Sequence, residues 1–142
     1  MCLTIFLVGG TVYYTIEILY RGYSHISMFI LAGLISITIA LMNDFCYSFE
    51  TDYIVQVITA AIIATIGEGF TGILVNTILK LNVWDYSGLW GNFFFGQCNI
   101  FYCMAWIIIC FFGIPILDTI EWKCFNGQRP YYKICGKVFF KC

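Results

Sequence analysis

The chain has 142 residues, of which 61% are hydrophobic and only 11% are charged. A soluble domain of this length cannot bury so much apolar surface, so the composition argues against a soluble globular protein. The sequence contains seven Lys and Arg residues and eight Asp and Glu residues. The resulting net charge of −1 gives no support to nucleic-acid binding. The composition is that of a membrane protein, with room for about four spanning helices of roughly 20 residues each.

Four apolar segments predict the spanning helices: Leu3 to Tyr20, Ile26 to Met42, Tyr53 to Leu79 and Asn99 to Leu117. The first segment lacks the basic stretch of a secretory signal, so we expect a retained helix. Before the fourth, we expect Trp84 to Gln97 to form an interfacial segment; a re-entrant segment and the start of a tilted helix are the alternatives. Pro115 is expected to kink or stop the last helix. The predicted fold class is an all-α polytopic membrane protein with about four transmembrane helices plus a short interfacial or re-entrant segment.

The end of the chain differs from the rest in composition. We predict a transmembrane helical bundle over residues 1–117 and a basic, aromatic cytoplasmic tail over residues 118–142. Four spans would put both termini on one side of the membrane. The tail carries five of the seven cationic residues, so the positive-inside rule places that side in the cytoplasm. Such a tail suits the surface of an anionic leaflet, and membrane lipids are therefore expected partners.

The eight cysteines are scattered, and no pair has CxxC spacing. Several of them would lie in the cytoplasm or within the last span, so we do not expect a disulfide framework. The single histidine is not close to a cysteine in the sequence. No metal site and no cofactor are predicted.

Two glutamates interrupt the apolar segments. An ionisable side chain in hydrocarbon costs several kcal/mol unless it faces the bundle interior or a watery cavity, so Glu17 and Glu68 need partners. Arg21 follows Glu17 by four residues, which is the helical spacing of an ion pair. Glu68, Gly72 and Asn76 recur every four residues, and we expect this face to point into the bundle.

These costly groups belong to neighbouring ends of their segments, so we expect them to collect in the outer half of the bundle. The predicted binding or translocation site consists of Glu17, Arg21, His25, Glu68, Asn76, Trp84, Asp85, Asn92 and Gln97. No catalytic residue is predicted. In the alternative interpretation these groups satisfy one another and only fix helix packing, His25 is a solvated loop residue, and Asp85 caps a short helix.

Several of these residues belong to longer motifs. The stretch from Gly9 to Glu17 is followed by Arg21-Gly22-Tyr23-Ser24-His25, and Trp84-Asp85-Tyr86-Ser87 and Trp106 come later. With Glu68, Gly72, Asn76, Asn92 and Gly96-Gln97, they resemble the bacterial membrane proteins called putative ABC-transporter type IV. The resemblance covers about Gly9 to Trp106, and the tail after Leu117 carries no motif of that family. It implies a multi-pass protein of the bacterial cell membrane with a transport role.

Three functions remain open. A transporter or permease component would need an energy source, because the chain has no GxxxxGK[ST] phosphate loop. It would form a homo-oligomer or bind a separate ATPase subunit. An accessory or structural subunit would use the polar groups for packing alone. A membrane-embedded lipid-modifying enzyme would use Glu17 or Glu68 as acid or base, but the sequence has no recognisable catalytic motif.

Overall fold

The computed structural model describes residues 1–45 and 48–141, and for residues 43–45 it describes the backbone alone. Four helices make up most of it: α1 (Cys2–Arg21), α2 (Ile26–Phe45), α3 (Tyr53–Gly72) and α4 (Ile100–Phe125). A π-helix over Ile73–Ile78 continues α3. Two antiparallel hairpins pair β1 (Asn92–Phe93) with β2 (Cys98–Asn99), and β3 (Tyr131–Ile134) with β4 (Lys137–Lys141). The predicted all-α class is confirmed.

Three of the described helices are long and apolar enough to cross a membrane: α1, α3 with its π-helical extension, and α4. In α2, the stretch Ile26–Met42 is apolar but shorter. The outward faces carry large apolar side chains, such as Leu19 at 82% exposure and Phe112 at 63%. Exposing such apolar surfaces to water is energetically unfavourable, whereas exposing them to lipid is not. The fold is therefore that of a membrane protein.

Glycines bring α1 and α2 into close contact. A Cβ atom on Gly9 would lie only 1.8 Å from the Ser36 hydroxyl, and one on Gly10 would lie 2.8 Å from the Phe29 carbonyl oxygen. Helices in lipid associate through such close backbone approach because lipid supplies no hydrophobic force between them. The turn between them begins at Gly22, whose φ of 82° lies in the left-handed region. The two helices therefore form a tight hairpin.

Helix α4 runs through Pro115 and ends at Phe125, so of the two expected effects of Pro115, a kink or a stop, the stop is wrong. Pro115 has no N–H, and the carbonyl of Phe111 four residues earlier loses its helical donor. The hydroxyl of Tyr53 in α3 donates to that carbonyl instead. An unpaired carbonyl in hydrocarbon costs several kcal/mol, so this contact explains how the helix tolerates the proline.

The chain stays helical across the predicted boundary between residues 117 and 118, and the hairpin β3–β4 then folds back. Tyr132 donates to the buried Asp118 carboxylate at 2.5 Å. Lys133 forms an ion pair with Glu50 in the α2–α3 connection, and the Cys135 N–H donates to Asp52 at 2.6 Å. Among the basic residues expected at the leaflet surface, Lys133 is bound by Glu50. Lys137 and Lys141 lie on β4, whose residues are all exposed.

The six described cysteines are free, as expected: Cys2, Cys98, Cys103, Cys110, Cys124 and Cys135. Cys46 and Cys142 lie outside the described residues. Residues 84–97 form turns and part of the first hairpin, so they are not the start of α4, which begins at Ile100. Asn99 fixes that start, since its side chain accepts from Phe101 N at 2.9 Å and donates to the Trp90 carbonyl at 2.9 Å.

Candidate functional site

Polar side chains meet where the α1–α2 turn lies beside the connection between α3 and α4. We define the loop end of the bundle as this region: the α1–α2 turn, the connection over residues 79–99 and the helix turns next to them. The nine predicted site residues all belong to it, but they fall into separate groups with different contacts.

The first group is an ion pair on α1. Arg21 Nη2 lies 2.5 Å from Glu17 Oε1, as the spacing of four residues predicts. The hydroxyl of Ser24 also donates to Glu17, whose exposure is only 9%. The guanidinium of Arg21 lies 4.8 Å from the ring centre of Tyr23. The charge of Glu17 is thus compensated where α1 ends.

The second group surrounds Glu68, which is 2% exposed. Its Oε2 accepts from Trp106 Nε1 at 2.9 Å, and its Oε1 accepts from the Tyr86 hydroxyl at 3.3 Å. The Trp106 ring stacks on Tyr13 of α1, with 4.9 Å between the ring centres. Glu68 therefore ties α3 to α4 and to the loop, and Tyr13 brings α1 beside them.

The third group is built from amides. Asn76 Nδ2 donates to Gln97 Oε1 at 2.8 Å, and Asn76 Oδ1 accepts from Val83 N at 2.7 Å. Trp84 Nε1 donates to the Gln97 carbonyl at 3.1 Å. A Cβ atom on Gly72 would lie 2.6 Å from Gln97 Oε1, so only glycine lets the loop come so close to α3. This group holds the loop in place.

The remaining predicted residues support local backbone. Asp85 is exposed and accepts from Ser87 N at 2.8 Å, a hydrogen bond that lowers the pKa of the Asp85 carboxyl. Asn92 donates to the carbonyls of Ser87 and Leu89 at 3.1 and 2.7 Å. His25 Nδ1 accepts from Ser27 N at 3.2 Å at the start of α2. Each contact satisfies a turn or a helix end.

A cavity of about 520 Å³ opens between α1, α4 and the loop. Its polar lining comes from Tyr13, Glu17, Tyr20, Arg21, Asn99 and Tyr102, and Tyr86 also borders it. Of the nine predicted residues, Glu17 and Arg21 line this cavity. Glu68 reaches it through the hydroxyl of Tyr86. Of the other six, His25 lies at the start of α2, and five lie in the connection over residues 79–99 or support it: Asn76, Trp84, Asp85, Asn92 and Gln97.

Tyr13, Tyr20 and Trp106 are site residues that the sequence-based prediction omits, whereas the sequence already suggests Tyr86 and Tyr102 as aromatic walls of the site. Tyr86 and Tyr102 stack with 4.6 Å between their ring centres on the cavity wall. Tyr13, Glu17 and Arg21 are spaced by four residues, so the helical period could have placed Tyr13 on this face. Trp106 gave a weaker signal: an indole N–H within an apolar segment needs an acceptor.

This arrangement suits the binding of a polar group. The cavity offers a guanidinium, a carboxylate and several phenol hydroxyls beside apolar walls. Such a combination orients a ligand through a few hydrogen bonds while the walls exclude water. Arg21 supplies the positive charge, and its Nε is buried without a hydrogen-bond partner among the described residues.

Comparison with known protein families identifies the family of the chain. The model of the family described as putative ABC-transporter type IV matches residues 4–140. This range extends beyond the resembling stretch from Gly9 to Trp106 and includes the tail, where no family motif was recognised. No curated protein and no solved structure matches the chain.

Proposed function

Because the chain belongs to the putative ABC-transporter type IV family, we propose that it is the membrane component of a transporter. In this proposal, the cavity at the loop end binds the polar part of the substrate. The ion pair between Glu17 and Arg21 borders that cavity, and the Glu68 network forms its inner support.

The cavity is the observation that carries this proposal. Ionisable groups in apolar helices are costly, and they commonly mark substrate or ion pathways. Here Glu17 and Arg21 border open space at one end of the bundle, and the buried Glu68 is linked to that space by the hydroxyl of Tyr86. A site of about 520 Å³ is in the size range of small-molecule pockets.

The energy source would be a separate subunit. The chain contains no phosphate-binding loop, so ATP hydrolysis requires a partner. We place the partner on the side of the membrane that carries both termini, and we assign that side to the cytoplasm from the positive charge of the tail. The loop end then faces the opposite side.

The test is purification of the whole chain from its own membranes in a mild detergent, followed by native mass spectrometry. We expect a P-loop ATPase in fixed stoichiometry with this chain, and ATP hydrolysis by the complex after transfer into lipid nanodiscs. Recovery of the chain as a homo-oligomer that hydrolyses no ATP would contradict the proposal.

Glu68→Gln tests whether the site is coupled to that activity. Glutamine keeps the size of the side chain, its oxygen can accept from Trp106, and its NH₂ can donate to the Tyr86 hydroxyl. The fold is retained while the ionisable carboxyl group is lost. We expect ATP hydrolysis by the complex to fall about tenfold, within the usual range of coupling between sites.

The matched control is Asp85→Asn, an acid-to-amide change in the connection that carries Tyr86. Asp85 is exposed and does not line the cavity, and asparagine can still accept from Ser87 N. We expect the activity of this variant to equal that of the wild type. Equal activity of Glu68→Gln and wild type would remove Glu68 from the mechanism.

An accessory subunit is the second candidate, and one observation favours it. Glu17 and Glu68 both already have protein partners, so the network could serve packing alone. In that case, Glu68→Gln would leave ATP hydrolysis unchanged in a complex that still assembles. The same comparison with Asp85→Asn separates the two candidates.

A further inference from the structure

A crevice runs along the seam between α1 and α4. Helix α1 packs mainly on α2, and α4 packs mainly on α3, so the seam between the two pairs is loosely filled. The cavity at the loop end adjoins a second one of about 80 Å³, and the two share Tyr13, Ile16 and Ile109 as lining residues. We call the two adjoining cavities the crevice.

The polarity of this crevice changes along its length. At the loop end it is lined by Glu17, Arg21 and tyrosine hydroxyls. Deeper in the bundle its lining is almost entirely apolar, with Val12, Ile35, Ile116 and Leu117 among the walls. The crevice thus has a polar head region and an apolar channel, which is the polarity pattern of a lipid.

The dimensions fit as well. Twelve residues separate Gly9 in the apolar channel from Arg21 in the head region, which is about 18 Å along a helix. Half of a hydrocarbon core of roughly 30 Å is close to this length. In length the seam therefore matches an acyl chain from one leaflet, whose far end would occupy the 80 Å³ cavity while its headgroup reaches Arg21.

Gly113 on α4 leaves room for the acyl chain. A Cβ atom at Gly113 would meet nothing within 4 Å, so the space beside it is open. Apolar cavities do not hold water, and the bilayer supplies acyl chains as the available filler. Open apolar space beside the hydrocarbon core favours occupation by lipid.

The head region selects the headgroup. Arg21 Nη2 is used by Glu17, but Arg21 Nε is buried and lacks a hydrogen-bond partner among the described residues. A guanidinium is a planar donor that matches the oxygens of a phosphate group. A phosphate oxygen would add a further hydrogen bond to the guanidinium, which has five N–H donors.

We propose that the crevice binds one phospholipid, with its phosphate at Arg21 and one acyl chain in the channel beside Gly113. The proposal rests on the proposed function and deepens it, because it names a phosphate-bearing amphiphile as the substrate class. The lipid enters sideways from the bilayer through the seam between α1 and α4.

The experiment uses the whole chain with any bound partner, in mild detergent micelles. Phosphatidylglycerol and diacylglycerol with the same acyl chains are added together, and native mass spectrometry counts the molecules retained per chain. We expect one retained phosphatidylglycerol and little diacylglycerol. Equal retention of both lipids, or a broad distribution of lipid numbers, would overturn the proposal.

Two variants locate the lipid. Gly113→Leu fills the channel without a clash at Cβ, and leucine favours helix, so the fold is kept. Because it displaces several methylene groups, we expect lipid retention to fall by about tenfold or more. Arg21→Gln should abolish the preference for phosphatidylglycerol over diacylglycerol. Wild-type retention in Gly113→Leu, or an unchanged preference in Arg21→Gln, would overturn the proposal.

Met104→Trp is the matched control for Gly113→Leu. Met104 also lies on α4 and is 57% exposed, but it does not line the crevice. Added bulk there should leave retention of the lipid at the wild-type level. A loss in this variant equal to that of Gly113→Leu would overturn the proposal, because lipid would then be bound over the general surface.

The outcome is distinguishable from that for the proposed function. If lipid retention is lost specifically in Gly113→Leu and no ATPase partner is found, the results support the phospholipid site in the crevice. The same results contradict the proposed transporter function. An ATPase partner together with lipid retention unaffected by Gly113→Leu would support the transporter and overturn the phospholipid as its substrate.

Discussion

Polar side chains collect at both ends of the bundle, and the two ends use them differently. We define the tail end by Glu50, Asp52, Asp118, Tyr131, Tyr132 and Lys133. At the loop end, charged groups border a cavity of about 520 Å³. At the tail end, the hydrogen bonds of the acidic residues tie the hairpin β3–β4 to the helices.

This difference shows that buried polar groups have two uses in an apolar bundle. Tyr132 and Asp118 are both almost fully buried, so their contact contributes to the fold. Glu17 and Arg21 are also partnered, but the space beside them is open to a ligand. Substitutions at the tail end should therefore reduce stability, whereas those at the loop end should mainly change binding.

The largest expected effect is at the tail end. Tyr132→Phe removes the hydrogen bond to Asp118 and leaves a buried carboxylate with one donor fewer. Hydrogen bonds to charged groups contribute about 1.5 to 3 kcal/mol, so we expect the free energy of unfolding to fall by about 2 to 3 kcal/mol. Titration with SDS from non-denaturing micelles measures it.

Tyr131→Phe is the control for that change, since it removes the same atom from the neighbouring residue. The Tyr131 hydroxyl donates to Glu50 at the exposed surface, where water can replace it. We expect a much smaller loss. Equal losses for the two variants would mean that burial does not distinguish the two contacts.

Tyr53→Phe is the next largest change. It removes the donor that replaces the missing N–H at Pro115 and leaves the Phe111 carbonyl unpaired. A buried unsatisfied acceptor costs about 1 to 3 kcal/mol, so we expect a loss of about 2 kcal/mol. The same unfolding titration measures it.

Pro115→Ala provides the partner for a double-mutant cycle. Alanine restores a backbone N–H that can donate to Phe111, so Tyr53→Phe should cost less than about 1 kcal/mol in that background. If Tyr53→Phe costs the same with proline or alanine at position 115, the hydroxyl does not compensate for the proline.

The ion pair at the loop end should have a smaller effect. Glu17→Gln leaves the Arg21 guanidinium without its carboxylate, while Glu17→Gln with Arg21→Gln removes both charges. Breaking a buried pair by removing one partner is costly, but Arg21 is partly exposed. We expect the single variant to be less stable than the double variant by about 1 kcal/mol in the unfolding titration. The reverse order would mean that Arg21 stabilises the fold even without its carboxylate partner.

The sequence predicts most of the fold and part of the site. The apolar segments locate the four helices, because each is a long apolar run, and three of the described helices also have the length and hydropathy that a bilayer requires. The Glu17–Arg21 pair follows from a spacing of four residues on one helix. Local rules are sufficient for such features, since both partners lie on the same element.

Contacts between distant segments could not be predicted in the same way. Tyr53 and Phe111 are 58 residues apart, and nothing in the local pattern of either indicates the other. Lys133 and Glu50 are 83 residues apart. The sequence therefore does not indicate that Glu50 binds Lys133, and it predicts that the basic tail contacts lipid. Such pairs depend on how the helices pack, and packing depends on the whole chain at once.

The smallest effect concerns Glu50 and pH. Hydrogen bonds from Lys133 and Tyr131 hold the pKa of the Glu50 carboxyl below its ordinary value of 4.5. A lowered pKa means that the contact stabilises the hairpin above pH 4.5 and is lost as the pH falls through the folded-state value. NMR signals of Tyr131 and Lys133, followed from pH 7 to 3, should shift in the wild type and stay constant in Glu50→Gln. Asp52→Asn is the control, because Asp52 binds Cys135 N and its loss should leave that titration in place. A titration that persists in Glu50→Gln and disappears in Asp52→Asn would assign the pH response of the tail end to Asp52 instead.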